Sequence, residues 1–161
     1  MPHTSLSYII ILPLLLVLAL FFPITTSMTA STWTTSCKRA VLKEIASNLA
    51  SMVRQLYISV KNDDVPPGNL TQLITLPNNV EGCAYTATAS LRSPKDGNGS
   101  VILTICLELQ RGGVAVNATT ILGPGVRWGN HVLNSGFPDP SIRVEKFGNG
   151  TMIFSFERGE G

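Results

Sequence analysis

The chain has 161 residues, the length of one domain of ordinary size. It carries 12 Lys and Arg against 10 Asp and Glu, and this formal net charge of +2 excludes the basic excess that indicates nucleic-acid binding. Charged residues are only 14% of the chain, and every one lies at or after Lys38. This distribution excludes a disordered chain and a simple cytosolic globule, and it sets apart an uncharged arm, residues 1–35.

The arm contains a nearly unbroken apolar run at residues 9–22, IIILPLLLVLALFF, interrupted only by Pro13. Extended to Tyr8 and Ile24, the run has 17 residues, and a helix of ~20 residues usually spans a membrane. We therefore predict a retained helix that lies in a membrane or in the core of a filament. The side chains expected to contact lipid or other subunits are Ile9, Ile10, Ile11, Leu14, Leu15, Leu16, Val17, Leu18, Leu20, Phe21 and Phe22.

A secretory signal peptide is the alternative interpretation of the arm. The apolar run has a suitable length, and the small residue Ala30 before Ser31 offers a cleavage position. The segment before the run contains no Lys or Arg, whereas signal peptides usually begin with a positive charge. Both interpretations remain open on the sequence.

An amphipathic helix is predicted over residues 36–62, with Ser36 as its N-cap and the segment from Asp63 to Gly68 as its end. Apolar residues recur at steps of three or four, which places them on one helix face. They are Val41, Ile45, Leu49, Met52, Leu56 and Val60. We expect this face to cover a β-sheet, because most amphipathic helices contribute to a core.

The remainder, residues 68–161, is predicted to be a β-rich head, because alternating apolar residues replace the helical period. The candidate strands are 70–76, 83–91, 101–109, 114–122, 126–133, 141–147 and 151–157. Turn residues separate them, and a Gly-Asn-Gly at 148–150 should close a hairpin. The expected fold class is α+β, a long N-terminal apolar and amphipathic helix followed by an antiparallel, sandwich-like head.

The three cysteines allow three single pairings. If Arg92 pairs with Ser100 in the predicted hairpin, Cys106 faces away from the side that carries Cys83, and opposite faces cannot be bridged. We therefore favour a disulfide between Cys37 and Cys83. Three free buried thiols are the alternative.

Four Asn-x-Ser/Thr sequons begin at Asn69, Asn98, Asn117 and Asn149. Each lies in or beside a predicted turn, where an exported chain can accept a glycan. We treat all four as candidate glycosylation sites, which favours an extracellular head. Chance is the alternative, since turns rich in Asn and Gly next to Thr-rich strands generate this loose motif.

The sequence shows no motif for catalysis or metal binding. His3 and His131 are its two histidines, and it has no CxxC or HExxH spacing, no Gly-x-Ser-x-Gly, no phosphate-binding loop and no dinucleotide fingerprint. We predict that the chain is not an enzyme and has no catalytic residues, no metal site and no cofactor. No small-molecule substrate is identified.

The long apolar helix, its amphipathic continuation and the β-rich head together resemble archaeal type IV pilin-like and archaellin-like proteins. A local similarity supports this in Ile74-Thr-Leu-Pro77, Val80-Glu-Gly82 and Tyr85-Thr-Ala-Thr, where a strand ends at Leu-Pro and the chain resumes after Gly with a Tyr. That family's processing signal has a basic residue just before the helix, and residues 1–8 have none.

The resemblance implies a non-enzymatic surface protein that is anchored in the membrane, or assembled into a filament, through its N-terminal helix. Its partners would be membrane lipid and copies of itself or other pilin-like subunits, and its head would be extracellular. The alternative function is a secreted, soluble β-rich binding module, released by cleavage near Ala30.

Overall fold

The computed structural model describes residues 3–62, 64–92 and 99–158. One helix, α1 (His3–Lys61, 59 residues), precedes all the strands, and both Pro13 and Pro23 lie inside it. The α+β class with a long N-terminal helix is confirmed. The chain divides into two compact units, Met1–Cys37 and Lys38–Gly161.

The strands follow the helix in the C-terminal unit, close to where alternation predicts them. Strand β3 has the predicted bounds, whereas the predicted strand 126–133 is divided into two short ones. The strands are β1 (Gly68–Leu73), β2 (Tyr85–Arg92), β3 (Val101–Leu109), β4 (Ala115–Leu122), β5 (Val126–Trp128), β6 (Val132–Asn134), β7 (Pro140–Lys146) and β8 (Met152–Arg158).

These strands form two four-stranded sheets, ordered β1-β7-β8-β5 and β4-β3-β2-β6. All neighbouring strands are antiparallel except β5 and β8, which run parallel. The parallel pair differs from the all-antiparallel head that the sequence predicts. After β5 the chain enters the other sheet at β6 and returns as β7. Because β8 is antiparallel to β7, it runs in the same direction as β5.

The chain passes from one sheet to the other between β5 and β6. Gly129 N–H donates to the Phe154 carbonyl of the first sheet at 2.7 Å, and Ala89 N–H of the second sheet donates to the His131 carbonyl at 2.8 Å. Between them, the Asn130 side-chain amide donates to the Phe156 carbonyl at 2.8 Å. These bonds hold the two sheets together at this crossing and explain why the predicted strand is interrupted.

A single hydrophobic core contains side chains from Leu42 to Val60 of α1 and from both sheets. The predicted helix face is partly wrong, because Val41 is exposed and Met52 is only partly buried, whereas Leu42 and Val53 are fully buried. The small residues Ala46 and Ala50 also lie on the buried face. The centre of this face is therefore displaced from the position that the large apolar residues alone indicate. The largest fully buried side chains include Leu42, Leu49, Tyr85, Leu103, Ile105, Phe154 and Phe156.

Both predicted hairpins form, although one has another register. Arg92 lies opposite Ile102 rather than Ser100, a shift of two residues that lengthens the connection. Because the shift is even, each side chain keeps its predicted face. In the second hairpin Lys146 lies opposite Met152 across the Gly-Asn-Gly turn, where Gly150 has a φ of 80° that suits glycine.

Candidate functional site

The arm presents an exposed apolar surface along α1. From Ile11 onwards each predicted lipid-contacting side chain is exposed, for example 58% for Leu18 and 63% for Phe21. Ile9 and Ile10 belong to the helix, but their side chains lie outside the described residues. By length and composition the stretch from Ile11 can cross a membrane, and none of its most apolar 18-residue window is buried. A membrane span and a signal sequence both meet this description.

The hydroxyl groups that follow the apolar run bond to the helix itself. Thr25 donates to the carbonyls of Phe21 and Phe22, at 3.1 and 2.9 Å. The remaining donors in this part of the helix are Thr26, Ser27, Thr29, Ser31, Thr32, Thr34 and Thr35. A hydroxyl that bonds three or four residues back is satisfied without water, which suits a helix in lipid or against another helix. The sequence shows only that this segment is rich in Ser and Thr, not that their hydroxyls bond to the helix backbone.

The three cysteines are free thiols in the structure. The disulfide between Cys37 and Cys83 stays a prediction. Cys83 lies beside a charged pair. Lys38 Nζ is 4.0 Å from Cys83 Sγ and 3.9 Å from a carboxylate oxygen of Glu81. Cys106 lies opposite Thr88 in the hairpin, on the face that parity predicts.

Tyr85, the first residue of β2, contacts the Leu-Pro segment that precedes this strand. Its hydroxyl donates to the Pro77 carbonyl at 2.8 Å, and burial raises the pKa of Tyr85 to about 12. The side chain is almost fully buried, which explains the raised pKa, because removal from water disfavours the phenolate. This tyrosine therefore positions the loop before β2.

The surface of the C-terminal unit has several open hollows, and two of them contain a glutamate. One, of about 460 Å³, runs along the helix beside Pro77 and contains one carboxylate, that of Glu44. In the other, of about 700 Å³, Glu157 accepts a hydrogen bond from Arg143 at 3.3 Å, so its charge is paired. Across residues 3–62, 64–92 and 99–158, no three His, Cys, Asp or Glu side chains are close enough to hold a metal ion.

Three of the four sequon asparagines are described, and all three are exposed. Asn69 lies in β1 and Asn117 in β4, so these two are strand residues rather than turn residues. Asn149 lies in the turn between β7 and β8, where its side-chain oxygen accepts the Thr151 N–H at 3.0 Å. Asn98 lies outside the described residues. The sequence reveals the sequons, and the predicted strand 114–122 already contains Asn117, but the sequence does not show that β1 and β4 lie at the edges of sheets.

Comparison with protein-family models, with curated proteins and with solved structures found no match to this chain.

Proposed function

We propose that this chain is a non-enzymatic, pilin-like surface protein, held in the membrane or in a filament by its arm, with the head outside the cell. The observation that supports the proposal most strongly is the exposed apolar surface of α1. This surface carries no charged residue before Lys38 and extends over several helical turns. Such a surface needs a nonaqueous environment.

Exposed side chains such as Leu18 and Phe21 are costly to keep in water. Moving one large apolar side chain out of water contributes about 1.5–3 kcal/mol. Summed over the run from Ile11 to Ile24, this exceeds the whole folding stability of a typical domain, which is ~5–15 kcal/mol. Lipid tails, or the arms of neighbouring copies, would supply the environment that removes this surface from water.

The C-terminal unit, Lys38–Gly161, contains the head, carries the charged residues and has a core of its own. Its buried core includes Tyr85, Phe154 and Phe156, and its exposed sequon asparagines suit export. A domain with a complete core can function in water while an arm anchors it. We therefore place the head on the extracellular side.

A secreted module remains a second candidate for one specific reason. The compact unit with the head begins at Lys38, beyond the candidate cleavage position at Ala30. Cleavage there would remove the exposed apolar surface and leave the core residues in place. The residue that begins the mature protein separates the two candidates.

The proposal is tested on cells that express the full chain. After an alkaline carbonate wash the protein should stay with the membrane pellet, and protease added to intact cells should degrade the head. Mechanical shearing distinguishes the two forms, because it releases filament subunits and leaves membrane-anchored chains behind. Full-length chain in the soluble cytoplasmic fraction, resistant to external protease, would contradict the proposal.

A further inference from the structure

We propose that N-linked glycans on Asn69 and Asn117 shield the two long free edges of the head and prevent edge-to-edge pairing between copies. The inference rests on the proposed extracellular location, because the modification requires export. It assigns different roles to the sequons, since among the described sequon asparagines only these two lie in strands at the edge of a sheet. Asn149 lies in a turn.

The strands β1 and β4 each end one sheet. Strand β1 pairs with β7 alone and β4 with β3 alone, so one side of each strand has no partner in the described parts of the chain. The other two edge strands, β5 and β6, have three residues each. Short edges offer few backbone groups to another chain, so β1 and β4 are the edges most able to pair.

Neither long edge carries the protection that proteins usually place there. Strand β1 reads GNLTQL and β4 reads AVNATTIL, without a charged residue or a proline in either. Both expose large apolar side chains, with Leu73 exposed by 69% and Ile121 by 68%. An uncharged edge with exposed apolar side chains is an aggregation hazard in water.

A sequon lies in each of these edges. Asn69 is the second residue of β1 and is paired in register with Glu145, while Asn117 of β4 is paired with Cys106. Both side chains are exposed. A bulky, hydrated glycan at either position would block the approach of a second strand, as an edge lysine or proline does elsewhere.

The modification is a transfer from a lipid-linked oligosaccharide. A bond forms between the asparagine Nδ2 and the anomeric carbon of the first sugar, and the bond from that carbon to the donor's phosphate oxygen breaks. The amide loses one proton, and the polyisoprenyl phosphate or diphosphate leaves. No electrons are gained or lost overall.

The test compares two ways of removing the same two sequons from the full chain, expressed in a host that performs N-glycosylation and purified in detergent. Asn69→Gln with Asn117→Gln leaves the edges uncharged. Thr71→Lys with Thr119→Lys also destroys both sequons, but it places a lysine at an exposed position on each edge. Asn149→Gln is the matched control, because it removes a sequon from a turn.

Glycopeptide mass spectrometry should find glycans on Asn69 and Asn117 in the parent chain. The glutamine pair should at least double the fraction of high-mass species in size-exclusion chromatography, measured against the parent. The lysine pair and Asn149→Gln should match the parent. Unchanged circular dichroism spectra would show that each variant is folded.

Three results would overturn the inference. Unmodified Asn69 and Asn117 on a head that external protease degrades would refute it and leave the proposed surface location intact. Equal behaviour of the glutamine and lysine pairs would refute the shielding of the edges. An unmodified head that external protease cannot reach would overturn both this inference and the extracellular location.

Discussion

Tyr85 and Ser135 exchange two hydrogen bonds. Tyr85 N–H donates to the Ser135 hydroxyl at 3.1 Å, and Ser135 N–H donates to the Tyr85 carbonyl at 2.9 Å. Both residues are buried, so water cannot replace either bond. The pair holds the chain after the three-residue strand β6 against the start of β2, where the strand itself makes few bonds.

Replacing this serine should destabilise the protein. Ser135→Ala leaves the buried Tyr85 N–H without its acceptor, and such an unsatisfied donor costs about 1–3 kcal/mol. Chemical unfolding of the full chain in detergent measures the loss. Ser90→Ala is the control, because this exposed hydroxyl makes only a long 3.4 Å bond and its loss should change stability by less than about 0.5 kcal/mol. Equal effects would contradict this role for Ser135.

Tyr57 and Gly123 should show strong coupling in a double-mutant cycle. A Cβ added at Gly123 would collide with the Tyr57 hydroxyl, so Gly123→Ala should destabilise by about 1–3 kcal/mol. Within the described residues that hydroxyl is buried without a hydrogen-bond partner, so Tyr57→Phe should be neutral or stabilising. In the double variant the phenylalanine should relieve part of the collision. Additive losses measured by thermal unfolding would refute this contact.

Tyr85 should make the protein sensitive to alkali. Its folded-state pKa is about 12, above the ordinary value of 10.0, so the folded protein holds this proton more tightly than the unfolded chain. The raised pKa contributes fully to the free energy of unfolding below about pH 10, and this contribution is lost as the pH rises from 10 to 12. Tyr85→Phe should lose stability less steeply over that interval, as unfolding free energies at stepped pH would show. Parallel curves for parent and variant would contradict the raised pKa.

A single lysine should weaken membrane retention only when it is placed in the arm. Leu18 and Ile58 both belong to α1 and are almost equally exposed, at 58% and 59%, but Ile58 lies in the C-terminal unit. A lysine near the centre of a membrane helix costs about 2.5–3.5 kcal/mol on insertion scales. Leu18→Lys should therefore reduce the carbonate-resistant fraction, whereas Ile58→Lys should not. Equal retention of the two variants would refute membrane contact by the arm.

Local patterns predict much of this fold. Strand β3 has the predicted bounds, Val101–Leu109, because apolar and polar residues alternate through its whole length. The hairpin at residues 148–150 follows from its glycines, which permit a positive φ at Gly150. Both features depend only on neighbouring residues, which is why a single sequence suffices.

Features that depend on distant partners were not predictable. The parallel pairing of β5 with β8 and the positions of β1 and β4 at sheet edges are set by the order of strands in space. The apolar pattern misplaces the buried helix face at Val41, because the small residues Ala46 and Ala50 carry little weight in it. The shift at Arg92 reflects a connection whose length the turn residues alone do not fix.

The candidate site also has features that the sequence predicts and features that it does not. Composition alone identifies the arm, since an uncharged apolar run is visible without any structure. Its contact with lipid or with other subunits stays a prediction. The sequons at Asn69 and Asn117 are visible in the sequence, but their position on sheet edges requires the strand order. The bond between Cys37 and Cys83 also stays a prediction.

Anchoring through the arm is tested most directly by the N-terminus of the mature protein, determined by sequencing and intact-mass measurement after isolation from native cells. We predict a membrane-bound or filament-bound chain that still contains the apolar run at residues 9–22. A soluble extracellular chain that begins at Ser31 would contradict this prediction, because the surface that requires lipid or neighbouring subunits would be absent.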